Sequence, residues 1–454
     1  MDNSIKFDSF SRSVQDIFNW FKNKHLRLDP PFQRDSVWGG NQRVKLLESI
    51  LQGYPIPSIF LYRHIHEKTG ETIFEVIDGK QRIESILLFA GYIHDRQFTK
   101  YLHGRRFAAL LQMPNEGKPA AVTWQQLKKR KQQYRIEQYQ LQIIEVTGDL
   151  TEIIELFVLI NSTGKALAGQ EIRNARYFRS GFLKASKQMA SKYESYLQSI
   201  GVIGPQQIRR MKHIELISEL IYSADLGKVG NKKRVLDVAM DVKSELKGVR
   251  LHKAVVAANT SLNRLHKMFP KLNKGVRFSK LSDFYSLAVL VQAFETAGMV
   301  LNDKKRNALA WDLLVAFGVG VDVLSQASKK LELKTLSPRE EIQRQYLSAV
   351  REGSDSEPNR RTRHEILRNL LEPIFEAKDS NRLFSPEQRR ILWNTSAERV
   401  CKECGCKLNW NNFQADHIRP HISGGRTKLN NAAILCAKHN AAKGKEIRSN
   451  RSGS

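Results

Sequence analysis

The spacing of hydrophobic residues divides the chain into regions with different predicted secondary structure. In the first 180 residues, short apolar and β-branched runs alternate with helical patterns, which indicates a mixed α/β domain. Strands are predicted at 58–62, 74–77 and 141–145, and helices at 44–52 and 81–89. From about 181 to 350, the apolar spacing is that of long amphipathic helices. These helices are predicted at 207–223, 251–268, 281–296 and 305–317.

The last hundred residues contain a break followed by a small separate domain. Residues 352–361 are polar and rich in turn-forming residues, which favours a linker before a helix at 364–377. Ser385, with Pro386 after it and Gln388 three residues after the cap, predicts another helix start. We therefore predict a multidomain α+β protein. It has an α/β domain over 1–180, a helical middle over 181–350, a linker and helix over 351–384, and a small domain over 385–454.

The net charge changes this picture by pointing to a polyanionic partner. The 454 residues include 74 Lys and Arg against 46 Asp and Glu, a net charge of +28. Such a field attracts phosphate backbones, so nucleic acid is the expected partner, although a purely solubilising surface would have the same sign. Residues 1–10 do not resemble a signal peptide, and the apolar stretch 309–324 is interrupted by Asp312 and Asp322. We expect a cytoplasmic protein without a membrane partner.

All four cysteines lie within one short region near the carboxy terminus. Cys401 and Cys404 form one knuckle, and Cys436 and His439 form a second, which is the arrangement that a tetrahedral zinc ion prefers. We predict a structural zinc site with these four ligands. Cys406 is expected to be a spare thiol, because its spacing from Cys404 is too tight for the usual knuckle. The cysteines alone would also fit an inert zinc ribbon.

Asp416, His417 and Asn440 are candidates for the hydrolysis of a phosphodiester bond. This reaction requires a deprotonated water and stabilisation of the negative charge that develops in the transition state. His417 can take a proton near neutral pH and is therefore the candidate general base. Asp416 and Asn440 offer hard oxygen ligands, which suit Mg²⁺ or Mn²⁺ better than zinc.

From about 399 to 447 the chain resembles the HNH (ββα-metal) endonuclease family, whose pattern is an Asp-His pair, a Gly-Gly turn (here 424–425) and two Asn or His residues set around zinc knuckles. The resemblance implies that Asp416 and Asn440 hold the catalytic ion and that Asn431 ties down the loop that aims His417. Lys443 is expected to meet a phosphate. Fourteen basic against five acidic residues from 381 to 454 also suit a nucleic-acid groove.

A second set of candidate residues lies near the amino terminus. In 76–82 a predicted strand breaks at an Asp-Gly pair and opens a helix, which places backbone N–H groups and an Arg where an anion can sit. Together with 31–38 and 157–173, this segment resembles the ParB-like domain of GmrSD-type modification-dependent restriction enzymes over about 1–180. The resemblance implies nucleotide binding or hydrolysis by seven residues: Gln33, Arg34, Asp78, Gly79, Lys80, Gln81 and Arg82.

One position departs from the pattern of this family, since Lys80 stands where the family often has Gln. A cation at this position would strengthen phosphate binding but leaves hydrolysis of a nucleotide open. The alternative is that Asp78 and Arg82 form only a turn cap and a surface ion pair.

These predictions combine into a metal-dependent HNH endonuclease that cuts or nicks DNA under the control of a nucleotide-binding domain, in defence against phage. A single HNH site cuts one strand, so a double-strand break requires a homodimer or two encounters. Two rival interpretations remain: a nucleotide-gated DNA-binding regulator with a vestigial nuclease, and an RNA nuclease that acts as a toxin.

Overall fold

A computed structural model of the chain describes sixteen stretches of it. They are residues 5–30, 36, 38–94, 102–103, 106–111, 118, 120–162, 167–230, 232–241, 243–269, 276–301, 304–327, 336–377, 379, 381–421 and 425–443. Backbone contacts divide the chain into two compact units. Unit 1 comprises Met1–Lys184, Gly204–Glu215 and Met240–Val242, and unit 2 comprises Ala185–Ile203, Leu216–Ala239 and Lys243–Ser454.

The described part of the first 180 residues forms eight strands and seven helices. In chain order they are β1 Lys6–Ser13, α1 Val14–Lys22, β2 Leu26–Arg27, α2 Gly40–Leu51, β3 Ile59–Ile65, β4 Thr72–Asp78, α3 Lys80–Ala90, β5 Leu102–His103, β6 Arg106–Leu111, β7 Ala120–Thr123, α4 Trp124–Lys129, α5 Tyr134–Glu137, β8 Gln140–Thr147, α6 Leu150–Ser162 and α7 Gly169–Arg176. The predicted α/β character of this region is confirmed, and all three predicted strands and both predicted helices are present.

A five-stranded mixed sheet with the order β1-β8-β3-β4-β2 forms the centre of unit 1. Strand β3 runs parallel to β8 and antiparallel to β4. Side chains alternate between the two faces of a strand, so neighbouring residues enter different cores. Ile59 and Leu61 pack in one core with α1, α2 and α3, whereas Phe60 and Tyr62 pack on the opposite face with α6. The sheet is therefore covered by helices on both faces.

From residue 181 to residue 371 the described chain is mostly helical, and short strands and further helices follow. In chain order, the helices and strands from residue 181 onwards are α8 Gly181–Ser199, α9 Pro205–Arg209, α10 Lys212–Leu226, α11 Lys232–Met240, α12 Gly248–Met268, α13 Leu281–Thr296, β9 Met299–Val300, α14 Lys304–Ala327, α15 Pro338–Arg351, α16 Glu357–Leu371, β10 Glu376–Ala377, α17 Pro386–Thr395, β11 Phe413–His417, β12 Ala432–Cys436 and the final helix, α18, at 437–443. Short 3₁₀ turns occur at Arg277–Ser279, Glu372–Ile374 and Leu429–Asn431. The predicted helical middle is confirmed.

Helix α13 is the buried centre of unit 2 and contacts α12 and α16. Its bounds are those predicted from the sequence, and it carries a fully buried carboxylate, Asp283. The hydroxyl of Tyr346 donates to this carboxylate at 2.7 Å, and the guanidinium of Arg277 lies 3.5 Å away. Burial nevertheless raises the pKa of Asp283, because removal from water disfavours the charged form more than these partners favour it.

Three secondary-structure predictions are wrong in detail. The helix predicted at 364–377 ends at Leu371 and is followed by a 3₁₀ turn and β10. The helix predicted at 207–223 is broken into α9 and α10, because Met211 adopts a left-handed backbone conformation with φ of 57°. The linker predicted at 352–361 is only a short turn, since α16 already begins at Glu357. The guanidiniums of Arg360 and Arg363 are buried, and they bond backbone carbonyls and a carboxylate of unit 2.

Helix α14 is long and apolar enough over Lys304–Gln326 to cross a membrane, and a third of that window is buried. This finding differs from the sequence expectation, which counted a shorter stretch. Length and composition do not distinguish a membrane span from a core helix. Within unit 2, α14 contacts α15 and α16.

The small carboxy-terminal domain is a ββα unit with α17 packed on it. Strands β11 and β12 pair antiparallel, with Asp416 opposite Ala433, and α18 follows directly. Ser385 caps α17 as predicted, because its hydroxyl accepts from the N–H of Gln388 and the Gln388 side chain accepts in return. A hydrophobic cluster joins α17 to the hairpin, and its members are Phe384, Leu392, Trp393, Phe413, Ala432 and Ile434.

Candidate active site and metal centre

Asp416 and His417 occupy the last two positions of β11, where consecutive side chains point in opposite directions. His417 is buried, and its ring packs 4.6 Å from the ring of Phe384. The carboxylate of Asp416 remains partly exposed, with 26% of its side chain accessible. At the end of β11, the Asp416 carboxylate therefore lies on the more exposed side of the strand and the His417 imidazole on the buried side.

Lys443 connects α18 to this strand end. Its ammonium lies 2.9 Å from Oδ2 of Asp416 and donates to the carbonyl of His417 at 2.6 Å. Asn440 is three residues earlier on α18, and residues with this spacing share a helix face. The helix face that carries Asn440 and Lys443 is therefore the one turned towards Asp416. The predicted phosphate contact of Lys443 stays a prediction, since the structure shows the ammonium on Asp416.

The imidazole of His417 is buried and hydrogen-bonded. Its Nε2 atom lies 2.9 Å from the hydroxyl oxygen of Thr427. Burial lowers the pKa of His417 more than the adjacent Asp416 carboxylate raises it. A histidine with a pKa below its usual range is uncharged near pH 7 and can accept a proton there.

Asn431 holds the loop that joins the two strands. Its side-chain oxygen accepts from the N–H of Arg419 at 2.8 Å, and its side-chain nitrogen donates to the carbonyls of Arg419 and Arg426. Gly425 lies inside this arrangement, where a Cβ atom would come 1.9 Å from the Arg419 carbonyl oxygen. The loop after His417 is consequently closed around a position that only glycine fits. Its neighbour at 424 lies outside the described residues.

The four cysteine thiols converge at the start of the ββα unit. Cys401, Cys404, Cys406 and Cys436 place their sulfur atoms within 4.8 Å of one another. His439 is adjacent, with Nδ1 3.1 Å from the sulfur of Cys436. Cys406, expected to be a spare thiol, lies within this cluster, and its role as a ligand depends on which of these five donors a metal ion takes. Because Gly405 turns the chain in a left-handed conformation (φ 69°), the Cys406 carbonyl accepts from the N–H of Cys401, and its thiol joins the cluster.

This cluster fits a zinc ion. Burial raises the pKa of the Cys401 thiol, but hydrogen bonds from the backbone N–H groups of Cys436, Cys404 and Glu403 together lower it by more. The resulting pKa is about 6. Thiolates rather than thiols bind zinc, and tetrahedral zinc takes four sulfur or imidazole ligands. Five candidate donors surround the position, so one of Cys406 and His439 is in excess of what a tetrahedral ion needs.

Asp416 and Asn440 carry the donor chemistry that was predicted for a second, harder ion. A carboxylate and a side-chain amide are oxygen donors of the kind that Mg²⁺ and Mn²⁺ bind. The ammonium of Lys443 already lies against this carboxylate, which indicates that the position favours positive charge. The donors for the two ions differ in softness, and each set suits a different metal.

The amino-terminal candidates lie around the junction of β4 and α3. The guanidinium of Arg82 is bonded within the domain, since it pairs with Asp78 and donates to the Ser58 carbonyl at 3.0 Å. Gly79 has φ of 96°, and a Cβ atom there would approach the Arg82 guanidinium at 3.2 Å. This ion pair is the one that the alternative interpretation of the sequence describes. Gln33 and Arg34, the other predicted phosphate contacts, lie outside the described residues.

Lys80 and Gln81 complete this set. Lys80 is nearly buried and its ammonium pairs with Asp29 and, at 3.8 Å, with Glu84. The side-chain oxygen of Gln81 is buried and has no hydrogen-bond partner among the described residues. Arg43 was not foreseen from the sequence. It is fully buried beside Lys80, where it bonds Glu84 at 3.3 Å.

Comparison with protein families finds a match for the amino-terminal domain and another for the carboxy-terminal domain. Residues 14–178 match the family model described as GmrSD restriction endonuclease, N-terminal domain. Residues 401–446 match the model described as HNH endonuclease. The chain joins a GmrSD N-terminal domain to an HNH endonuclease domain. Both resemblances seen in the sequence are thereby confirmed, and the pair of domains supports a restriction-type HNH endonuclease. The search of curated proteins found no match to the chain.

Sequence reasoning missed three residues of the hydrogen-bond network around His417, one inside the matched HNH segment and two before it. Thr427 bonds His417, and Asp379 and Asn381 bond Thr427, although both precede the matched segment 401–446. In the sequence, only the polar character of the segment around Asp379 and Asn381 hints that these residues contact the HNH domain. The site therefore begins about twenty residues before the matched HNH segment.

Proposed function

We propose that the chain is a metal-dependent endonuclease that hydrolyses DNA phosphodiester bonds at its HNH domain, under the control of its GmrSD domain. The observation that carries the proposal is the meeting of Asp416, His417 and Lys443 at the end of β11. Asp416 offers a metal ligand, and the Lys443 ammonium that pairs with it also bonds the backbone carbonyl of His417. The His417 imidazole, whose pKa burial lowers, supplies the base from the other side of the strand. Phosphodiester hydrolysis needs these three parts.

In this mechanism the neutral imidazole of His417 removes a proton from the attacking water. Asp416 and Asn440 would hold Mg²⁺ or Mn²⁺, which when bound supplies Lewis-acid stabilisation of the phosphate charge. Lys443 adds positive charge beside the same carboxylate and would meet the phosphate when the ion takes its place on Asp416. Asn431 keeps the loop after His417 closed, and the zinc knuckles brace the hairpin without taking part in the reaction.

We also propose that the GmrSD domain binds a nucleoside triphosphate near Asp78, Gly79 and Gln81. The unpartnered, buried oxygen of Gln81 supports a ligand at this position. The backbone turn at Gly79 opens α3, and N–H groups at a helix start favour a phosphate. Hydrolysis of the nucleotide would make the chain an NTPase as well. Its role would be defence against phage in the cytoplasm, with a homodimer where both strands are cut.

The decisive experiment uses the purified full chain with supercoiled DNA. We expect Mg²⁺-dependent nicking or linearisation that His417→Ala reduces at least a hundredfold, since general base catalysis contributes about 10²–10⁴-fold. His252→Ala is the control, because His252 is an exposed histidine on α12 of the same unit and lies outside the ββα domain. Equal cleavage by wild type and His417→Ala would remove the proposed mechanism.

The regulatory part is tested separately. Modified and unmodified phage DNA are compared with and without each nucleotide, and binding of a fluorescent nucleotide is titrated. We expect Gln81→Ala to weaken nucleotide binding and the exposed Gln52→Ala to leave it unchanged. Nucleotide binding that both variants retain in full, or cleavage indifferent to every nucleotide, would contradict control through this domain.

A further inference from the structure

Among the described residues, Nε2 of His417 has the hydroxyl of Thr427 as its hydrogen-bond partner, at 2.9 Å. Thr427 is nearly buried, with 6% of its surface exposed. Its backbone is fixed from two directions, since its N–H donates to Oδ2 of Asp379 at 2.6 Å and its carbonyl accepts from the Gln388 side chain at 2.9 Å. The threonine is thus immobilised independently of the histidine that it contacts.

The direction of the hydrogen bond between His417 and Thr427 follows from counting protons. A threonine hydroxyl carries one proton and can donate once. The Thr427 hydroxyl donates to the backbone carbonyl of Asn381, which can only accept. Its oxygen must therefore act as the acceptor towards His417, so Nε2 of His417 carries the ring proton. In a neutral imidazole the other nitrogen, Nδ1, then holds the free lone pair.

Asp379 and Asn381 make this arrangement rigid. The Asp379 carboxylate accepts from the N–H of Thr427 and, through its other oxygen, from the N–H of Asn381 at 3.0 Å. The Asp379 carbonyl accepts from His421 at 2.8 Å. A single carboxylate thus holds both the donor backbone of Thr427 and the residue whose carbonyl receives the Thr427 hydroxyl proton.

We propose that Thr427 is a positioning residue that fixes the tautomer and the orientation of the His417 ring, and that Asp379 holds Thr427 in place. The inference rests on the proposed function in one respect, which is that His417 is the general base. Its Nδ1 is then the atom that takes the proton from water. The positioning group includes a segment that precedes the matched HNH residues, so an excised 401–446 fragment would lack it.

The first test observes the tautomer of His417 directly, on the full chain without added Mg²⁺ or Mn²⁺. Ring-nitrogen NMR of ¹⁵N-histidine-labelled protein, with His417 assigned by comparison with His417→Gln, reports which nitrogen carries the proton. We expect the Nε2–H tautomer in wild type and in Thr427→Ser. A His417 ring protonated at Nδ1 in the wild type would overturn the proposal. This result does not depend on catalysis, and the His417→Gln variant used for the assignment is first shown to be folded by its melting temperature.

The second test separates positioning from structure by cleavage kinetics. Thr427→Val is close in shape but offers no acceptor, and we expect kcat to fall about ten- to hundredfold with little change in KM, because the base remains but its orientation is lost. Thr427→Ser should restore kcat, and Asp379→Asn should give an intermediate loss. Melting temperature and zinc content are measured for each variant to compare their folding.

Two outcomes distinguish this inference from the proposed function. If His417→Ala is inactive while a folded Thr427→Val keeps the wild-type kcat, the positioning role is wrong and the nuclease mechanism stands. If His417→Ala cleaves as wild type does, the nuclease mechanism is wrong, and the role of Thr427 in catalysis is overturned with it. Loss of kcat in Thr427→Val with rescue by Thr427→Ser supports the proposal.

Discussion

Replacement of Gly425 by alanine is the sharpest perturbation of the HNH domain. The added Cβ would lie 1.9 Å from the Arg419 carbonyl oxygen and 2.8 Å from the Asn431 side-chain nitrogen. Real Cβ atoms essentially never come within 3.0 Å of such atoms, so the loop must open by roughly an ångström. The nearest obstacle is backbone, which cannot rotate away as the end of a flexible side chain can.

The cost follows from the contacts that this movement breaks. Asn431 makes three hydrogen bonds to the loop, at 2.8, 2.9 and 3.1 Å. If two of them are lost at about 1 kcal/mol each, the domain loses roughly 2 kcal/mol of stability. The same shift moves the backbone that aims His417, and a displacement of about 1 Å in an active site can cost about a hundredfold in rate.

We therefore expect Gly425→Ala to lower DNA cleavage about a hundredfold and to reduce the melting temperature of unit 2. The assay is Mg²⁺-dependent conversion of supercoiled DNA, with thermal unfolding followed in parallel. Gly39→Ala is the matched control, because a Cβ there meets nothing within 4 Å. Wild-type cleavage and stability in Gly425→Ala would refute the description of this loop.

Three further predictions follow from other contacts. Lys443→Ala removes the ammonium that bonds the carboxylate on β11 and should slow cleavage about tenfold, whereas the exposed Lys438→Ala should not; equal rates would contradict the role of this cation. Cys436→Ser, or a strong chelator, should release zinc and unfold the ββα unit, which metal analysis and thermal unfolding would detect; an unchanged melting temperature would exclude a structural zinc. Gly320→Ala places a Cβ 2.1 Å from the buried amide of Gln343 and should destabilise unit 2 by about 1–3 kcal/mol in denaturant unfolding. The double variant Gly320→Ala/Gln343→Ala should recover part of this loss, and additive losses in the two single variants would argue against the contact.

The sequence by itself determined those features that depend on local spacing. The bounds of α13 and the cap of α17 could be predicted because helix periodicity and capping involve residues within one or two turns. The two knuckles and the Asp416-His417 pair could be found in the same way, since zinc ligation and the HNH pattern are written in short intervals. Both families were therefore recognisable before the fold was known.

Only the tertiary structure decided which distant residues complete each site. Thr427 and Asp379 are 48 residues apart and meet through a backbone hydrogen bond that no periodicity signals. Arg43 and Glu84 meet across 41 residues within unit 1 in the same way. Cys406 entered the thiol cluster because of a left-handed turn at Gly405, and the break at Met211 has the same kind of cause. Such contacts depend on how the chain folds back on itself, and each residue's neighbours in sequence carry no information about them.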